Sequence, residues 1–324
     1  MKKTKREDIL VKIQANNKIL ENSILKNDQI LDKTMKLEIL EIKVNKELLS
    51  ILHEEDELLN NFTSIRNIIA GELGFVIPAI RIEVDATLET NEYIINLKRV
   101  PIAHGNIDGL NASNTISIHL YKLIISHATE ILTIQDLVNI IERLKCDFPI
   151  VVEEAMKVTT FKELLEICKN LLHENIPIID MVTILEATTY FSQFTKSPEL
   201  LLEYVRSKLF RMITNKYLCS DRKLHILKIK PELEEDILNR IQEQTGVSKL
   251  SLSISEIDNL VGNTRKLLNE KDKKWENQVV IITDSILRKS LSEIYKKHNL
   301  KIAVLSDTEL DTKTNLIIEG NLSW

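Results

Sequence analysis

The stretch from Glu166 to Ile213 decides the fold, and it reads EICKNLLHENIPIIDMVTILEATTYFSQFTKSPELLLEYVRSKLFRMI. Its apolar residues recur every three to four positions, which is the spacing of one face of a helix. Pro177 and Pro198 interrupt this pattern. Because proline is tolerated in the first turn of a helix but not in its interior, the stretch predicts three short helices separated at these two prolines. Their apolar faces predict the core of a helical subdomain.

The sequence on either side of this block mixes strands and helices. Between Gly74 and Ile107 it is β-branched and alternating, which predicts strands. A helix is predicted from Thr133 to Lys145, with Thr133 as N-cap and Asp136 at the third position after it. After residue 223, short apolar runs alternate with helical patterns, which predicts a small α/β subdomain.

The first residues predict a long amphipathic helix. They contain no glycine or proline before Gly71, and apolar residues recur at steps of seven and four, namely Ile13, Leu20, Ile24, Leu31, Met35, Ile42 and Leu49. This helix could pack on its own protein or form a coiled coil between chains. The overall prediction is an α+β multi-subdomain fold: a helical leader and linker over 1–63, a reduced α/β subdomain over 64–132, a helical subdomain over 133–214 and a C-terminal α/β subdomain over 215–324.

Composition argues against several classes of function. The net charge is −5 and basic residues are spread along the chain, so no basic stripe suggests a nucleic-acid partner. No phosphate-binding glycine loop or nucleophile elbow is present. The cysteines at 146, 168 and 219 show no paired spacing, which predicts reduced cytoplasmic thiols and no zinc site. We therefore expect no catalytic, cofactor or metal residues, no enzymatic activity, and no membrane span in this sequence.

Several ordered motifs carry a resemblance to a known family. SIRNIIAGELGFVIPAIRI (Ser64–Ile82) is followed by NEYIINLK (Asn91–Lys98), by LLHENIPIIDMVTILEA (Leu171–Ala187) and by SPELLLEYVRSKLFRMI (Ser197–Ile213). Near the end come ITDSILRKSLSEIY, with Arg288 in its helix, and IAVLSDTEL, with Glu309 after its strand. Together they resemble the cytoplasmic domain of the type III secretion export gate family (FlhA/InvA, FHIPEP) over about residues 57–312.

The sequence departs from the family pattern in two places. A helical leader stands where family members have a large transmembrane half. In addition, residues 106–119 form a short connection where family members have a second subdomain of the cytoplasmic domain. In the family this subdomain binds chaperones and their cargo, so its absence here argues against chaperone–cargo docking.

The resemblance implies a non-enzymatic component of a flagellar or injectisome export apparatus, cytoplasmic and held at the inner face of the membrane through its partners. Those partners would be apparatus proteins and neighbouring copies of the chain. In the family, an acidic linker contacts an adjacent subunit, and the resemblance places it here at Glu54, Glu55, Asp56 and Glu57, followed by Leu58 and Leu59. The alternative is an ordinary acidic run exposed to solvent.

The sequence also predicts that Arg206 and Arg211 are exposed, either as ordinary helix charges or as contacts to a neighbouring subunit. The alternative hypothesis is a self-associating coiled-coil scaffold or regulator that has a repurposed export-gate domain and no export role.

Overall fold

A computed structural model describes residues 37–54, 57–107, 111–244, 247–269 and 279–324. The chain divides into two compact units, one made of residues up to Asn67 with Ile77–Ile125, and the other of Ile68–Val76 with Ser126–Trp324. Both units combine helices with a β-sheet, so the predicted α+β multi-subdomain class is confirmed.

The first unit is built on a four-stranded sheet with the order β2-β1-β3-β4. Strand β1 pairs in parallel with β2 and antiparallel with β3, and β3 pairs antiparallel with β4. The strands are β1 (Leu40–Val44), β2 (Ile80–Val84), β3 (Glu92–Leu97) and β4 (Val100–Asn106). In the described part of this unit, three helices accompany them: α1 (Lys46–Glu54), α2 (Glu57–Leu73), which ends in the second unit, and α3 (Ala112–Ser126).

Strand β1 corrects the prediction of one continuous leader helix. Leu40, Ile42 and Val44 are almost completely buried, and β1 occupies an inner position of the sheet. Alternating β-branched residues suit a strand that has partners on both sides, and tertiary pairing therefore overrides the helical pattern here. The apolar positions 13, 20, 24, 31 and 35 of that pattern lie outside the described residues.

The second unit starts with a helical region. Thr133 caps α5, with its side chain accepting from the backbone N–H of Asp136 and the carboxylate accepting in return, as the sequence predicts. Ser197 and Pro198 begin α9 in the predicted way, but α8 begins at Met181 with Asp180 as its N-cap, four residues after Pro177. The helices are α4 (Ala128–Ile131), α5 (Ile134–Asp147), α6 (Pro149–Val158), α7 (Phe161–His173), α8 (Met181–Phe191), α9 (Pro198–Lys208) and α10 (Phe210–Lys216).

Gly74 allows a close backbone approach within this unit. Its φ is +91°, and a Cβ at this position would lie 2.5 Å from the backbone nitrogen of Ile179. The carbonyl of Leu73 accepts a 2.9 Å hydrogen bond from the N–H of Ile178. Only glycine allows both the left-handed conformation and this contact, which explains the glycine in the ELGF motif.

The C-terminal part of the second unit is a parallel sheet with the order β10-β5-β8-β9. Helices connect its strands, and their apolar faces form one buried core with the sheet that includes Leu227, Leu287 and Tyr295. The elements are β5 (Leu224–Ile229), α11 (Pro231–Leu238), the hairpin β6 (Ile241–Gln244) and β7 (Val247–Leu250), α12 (Ile254–Asn269), β8 (Val280–Thr283), α13 (Ser285–Lys297), β9 (Ala303–Ser306), the 3₁₀ turn η1 (Asp307–Glu309) and β10 (Leu316–Leu322).

Candidate functional site

A buried network of charges joins the helical region to the α/β region of the second unit. Arg206 on α9 and Arg288 on α13 are 2% and 0% exposed, and Glu309 in η1 is 0% exposed. Glu174, which directly follows α7, and Glu203 on α9 complete the network. Two guanidinium groups thus face three carboxylates, which leaves one excess negative charge.

Arg288 makes the most contacts in this network. Its Nε donates to a carboxylate oxygen of Glu203 at 2.6 Å, and its NH1 and NH2 donate to Glu174 at 2.6 and 3.1 Å. Arg206 donates from Nε to Glu309 and from NH1 to Glu174. Such paired, fork-like contacts are the geometry that makes arginine suitable for buried ion pairs.

The surroundings push the pKa values of two carboxyls in opposite directions. Burial of Glu174 favours its neutral form, but the positive charges of Arg206 and Arg288 outweigh this and lower the pKa of Glu174. Burial dominates at Glu203, whose pKa is raised despite the hydrogen bonds from Arg288. Because every member is engaged by another member, the network orients the two regions and does not resemble a general acid–base pair open to a substrate.

An apolar groove lies beside the network. Its cavity volume is about 840 Å³, and α9 and α13 form two of its walls. Leu200, Tyr204 and Ile286 line it and are substantially exposed, while Glu203 lines the groove and also belongs to the charge network. The Tyr204 ring stacks on Phe191 with a centroid distance of 4.2 Å. Exposed apolar surface of this kind is typical of binding sites for other molecules.

The structure corrects one predicted site residue and locates the others. Arg206 is not exposed but buried, because Glu174 and Glu309 neutralise it inside the protein. Arg211 is exposed, with its guanidinium 5.6 Å from the centroid of the Phe210 ring. Arg206 therefore has an internal role, whereas Arg211 is accessible to a partner.

The predicted acidic linker is described only in part. Leu58 is buried in its own protein, at 3% exposed, whereas Leu59 is 59% exposed. Leu58 is therefore engaged internally and Leu59 is accessible. Glu54 is the last residue of α1, and the predicted contact residues Glu55 and Asp56 lie outside the described residues.

Sequence reasoning named Arg206, Arg288 and Glu309 separately, and the structure brings them together. It missed Glu174 and Glu203. One signal was present, because Glu203 and Arg206 are three residues apart and each directly follows a buried apolar residue, Leu202 and Val205. Charges of opposite sign at this spacing share a helix face, so a buried ionic cluster could have been suspected there.

Among the residues that the structure describes, no helix is long and apolar enough to cross a membrane. One group of side chains in the described part of the chain, Cys219, Asp221 and His225, brings metal-ligating atoms within 4.8 Å of one another.

The fold is that of the cytoplasmic domains of type III secretion export gates. The Chlamydia pneumoniae CdsV structure aligns with a TM-score of 0.80 and 22% identity, covering 89% of this chain and 98% of that one. Nonameric EPEC SctV-C aligns with a TM-score of 0.79 and 18% identity, covering 89% and 99%.

The chain belongs to the FHIPEP family, whose model matches residues 1–109 and 106–315. It is 28% identical to the flagellar biosynthesis protein FlhA of Helicobacter pylori, over 91% of this chain and 47% of that protein. It is 26% identical to FlhA of Escherichia coli, over 94% and 50%. The chain thus spans about half the length of these curated relatives.

The two matched segments meet at residues 106–109. In the structure, β4 ends at Asn106 and α3 begins at Ala112. The break in the family match therefore falls where the sequence predicts the missing second subdomain.

Proposed function

We propose that this chain is a protein-binding and assembly component of a type III export apparatus and works without catalysis. The observation that carries the proposal is the apolar groove between α9 and α13, set beside a closed charge network that holds its walls in place. Membership of the FHIPEP family and the export-gate fold support the same conclusion. We place the chain in the cytoplasm, at the inner face of the membrane through its partners.

The groove is suited to an amphipathic helix of another apparatus protein. Its lining residues on α13 are Ser285, Ile286, Lys289, Ser290, Glu293, Ile294 and Lys297, which recur at helical spacing along one face. Two helices that present such a face form a channel into which a third helix fits with its apolar side inward. Lys289, Glu293 and Lys297 supply charges of both signs at the rim. A relative, CdsV, has been solved in complex with the protein CdsO.

Self-association is the second part of the proposal. SctV-C and the EscV cytosolic domain, two relatives by fold, form nonamers. In this chain, Leu59 and Arg211 are the accessible members of the predicted contact set. We propose that both residues, together with the acidic residues Glu54, Glu55 and Asp56, contact a neighbouring copy. The proposal does not include chaperone docking, because the sequence predicts that the subdomain which the resemblance associates with it is absent.

Sedimentation velocity of the full chain over a range of concentrations tests the assembly. We expect one defined oligomer that dissociates in the Leu59→Asp and Arg211→Glu variants. The matched control is Ile150→Asp, since Ile150 is 73% exposed and belongs to no predicted contact. The assembly proposal would be contradicted if the chain stays monomeric at every concentration, or if neither substitution changes the oligomer.

The coiled-coil scaffold without an export role remains the alternative, and truncation separates it from the gate. The deletion should end before Leu37, because removing residues up to 63 would also remove the inner strand β1. If association vanishes when residues 1–36 are deleted and survives Leu59→Asp, the leader alone holds the copies together and the scaffold hypothesis gains.

A further inference from the structure

A group of metal-ligating side chains lies at the start of β5 and shares no residue with the groove or the charge network. The Cys219 thiol, a carboxylate oxygen of Asp221 and a ring nitrogen of His225 all lie within 4.8 Å of one another. Cys219 and His225 are 4% and 5% exposed, while Asp221 faces solvent. The paired-cysteine spacing sought in the sequence could not reveal this group, because it uses three different donor types.

A tight turn places the three donors together. The N–H of Arg222 donates to the carbonyl of Cys219 at 2.8 Å, and the N–H of Cys219 donates to the carbonyl of Lys223 at 3.0 Å. Arg222 adopts a φ of 59°, a region that non-glycine residues rarely occupy. The turn brings Cys219 and Asp221 back toward His225, the second residue of β5.

A carboxylate from a neighbouring strand orients the imidazole. His225 Nδ1 lies 2.7 Å from an oxygen of Glu319, and the pairing of β5 with β10 shifts register at this residue, between Ile318 and Gly320. Bulges of this kind re-aim side chains and are frequent next to functional sites. Because a carboxylate only accepts, Nδ1 donates to Glu319, and Nε2 is then directed at a carboxylate oxygen of Asp221, 3.4 Å away.

A carboxylate that holds one ring nitrogen of histidine while the other nitrogen faces further ligands is the usual outer arrangement of metal-binding histidines. A divalent cation bound here would hold the Cys219 sulfur as a thiolate.

We propose that Cys219, Asp221 and His225 bind a divalent transition-metal ion of the zinc class. Thiolate, imidazole and carboxylate are the ligands that zinc takes in proteins, and three of them leave a fourth position for water on the side of Asp221 that faces solvent. On binding, the thiol proton leaves to solvent. Glu319 is a positioning residue that fixes the ring of His225. The ion would lock the turn before β5 to the edge strand β10, independently of any export role.

Cobalt binding to the full chain without an affinity tag tests this site. After treatment with a chelator and its removal, Co²⁺ is titrated and absorbance is followed, and Zn²⁺ then displaces it to give the zinc affinity. We expect one ion per chain and a thiolate-to-cobalt charge-transfer band. Cys219→Ser should abolish the band and Asp221→Asn should weaken binding at least about tenfold, while Glu319→Gln weakens it about 10–100-fold.

Cys146→Ser is the matched control, because Cys146 is exposed on α5 and outside the group. It should leave the cobalt spectrum and the affinity unchanged. Far-UV circular dichroism checks that each variant is folded, and Asp221→Asn, at an exposed position, remains informative if the buried substitution unfolds the chain. No charge-transfer band, or the same band in Cys219→Ser, would overturn the proposal and leave the proposed assembly function untouched.

Discussion

Replacing Arg288 with methionine should destabilise the second unit strongly. Methionine keeps much of the length and the apolar stem of arginine, but it removes the charge and every hydrogen bond to Glu174 and Glu203. Those two carboxylates have side chains that are each only 13% exposed, so water can replace the lost partner only in part. Removing one partner of a buried ion pair costs about 3–5 kcal/mol, because a charge is left uncompensated inside the protein.

The matched control is Arg240→Met. Arg240 also bridges two carboxylates, Asp236 and Glu256, but its side chain is 34% exposed. Exposed ion pairs contribute at most about 1 kcal/mol, so the same substitution should be nearly silent there. A large stability loss in Arg288→Met and a small one in Arg240→Met would show that burial of the charge, and not the number of ion pairs, determines the loss.

Urea unfolding followed by circular dichroism measures both losses, and hydrogen exchange localises them to peptides of α9 and α13. Adding Glu203→Gln to Arg288→Met should recover part of the stability, because it removes one of the unpaired buried charges. The reasoning is refuted if Arg288→Met costs no more than Arg240→Met, or if the second substitution deepens the loss.

Three further outcomes are expected. Gly74→Ala should lower the free energy of unfolding by more than about 1 kcal/mol, since the φ of Gly74 is +91° and backbone atoms crowd the new Cβ. Gly71→Ala, inside a helix with open space around it, should raise the free energy of unfolding by about 0.5–1 kcal/mol. Urea denaturation measures both changes, and equal effects would contradict the geometry. A thiol reagent should modify Cys146 in the native chain and the two buried cysteines only after unfolding, as counted by mass spectrometry; early labelling of all three would be the contrary result. Hydrogen bonds from Ser253, and then the hydrogen bond from Arg240, lower the pKa of Glu256 from 4.5 to about 2. The stabilisation by Glu256 is therefore present above pH 4.5 and is lost as pH falls toward 2. In Glu256→Gln the free energy of unfolding should fall less steeply with decreasing pH, and an unchanged acid dependence would contradict this prediction.

Local signals in the sequence predict the helices of the second unit well. Thr133 with Asp136, and Ser197 with Pro198, satisfy the N–H groups of a helix start within a few residues. The parallel strand β8 also follows from its apolar run, because a buried parallel strand needs no polar alternation. These features depend on neighbours in sequence.

Features set by distant partners could not be read in the same way. Strand β1 is a strand because β2 and β3 pair with it, although its apolar spacing also suits a helix. Arg206 looks like an exposed helix charge until Glu309, about a hundred residues further on, is placed beside it. The groove likewise depends on α9 and α13 meeting in three dimensions. The charge of a residue and the spacing of apolar residues do not determine which distant segments come into contact.

Site-specific crosslinking in a cell that carries the export apparatus tests the proposed docking role most directly. A photoreactive residue replaces Leu200, which is 45% exposed and lines the groove, and in a control it replaces Ile150, which is 73% exposed and lies on α6 outside the groove. We predict that Leu200, and not Ile150, gives a crosslink to an apparatus protein, which mass spectrometry identifies together with a helical segment at the crosslinked position. No crosslink from Leu200, or the same products from both positions, would contradict the proposal.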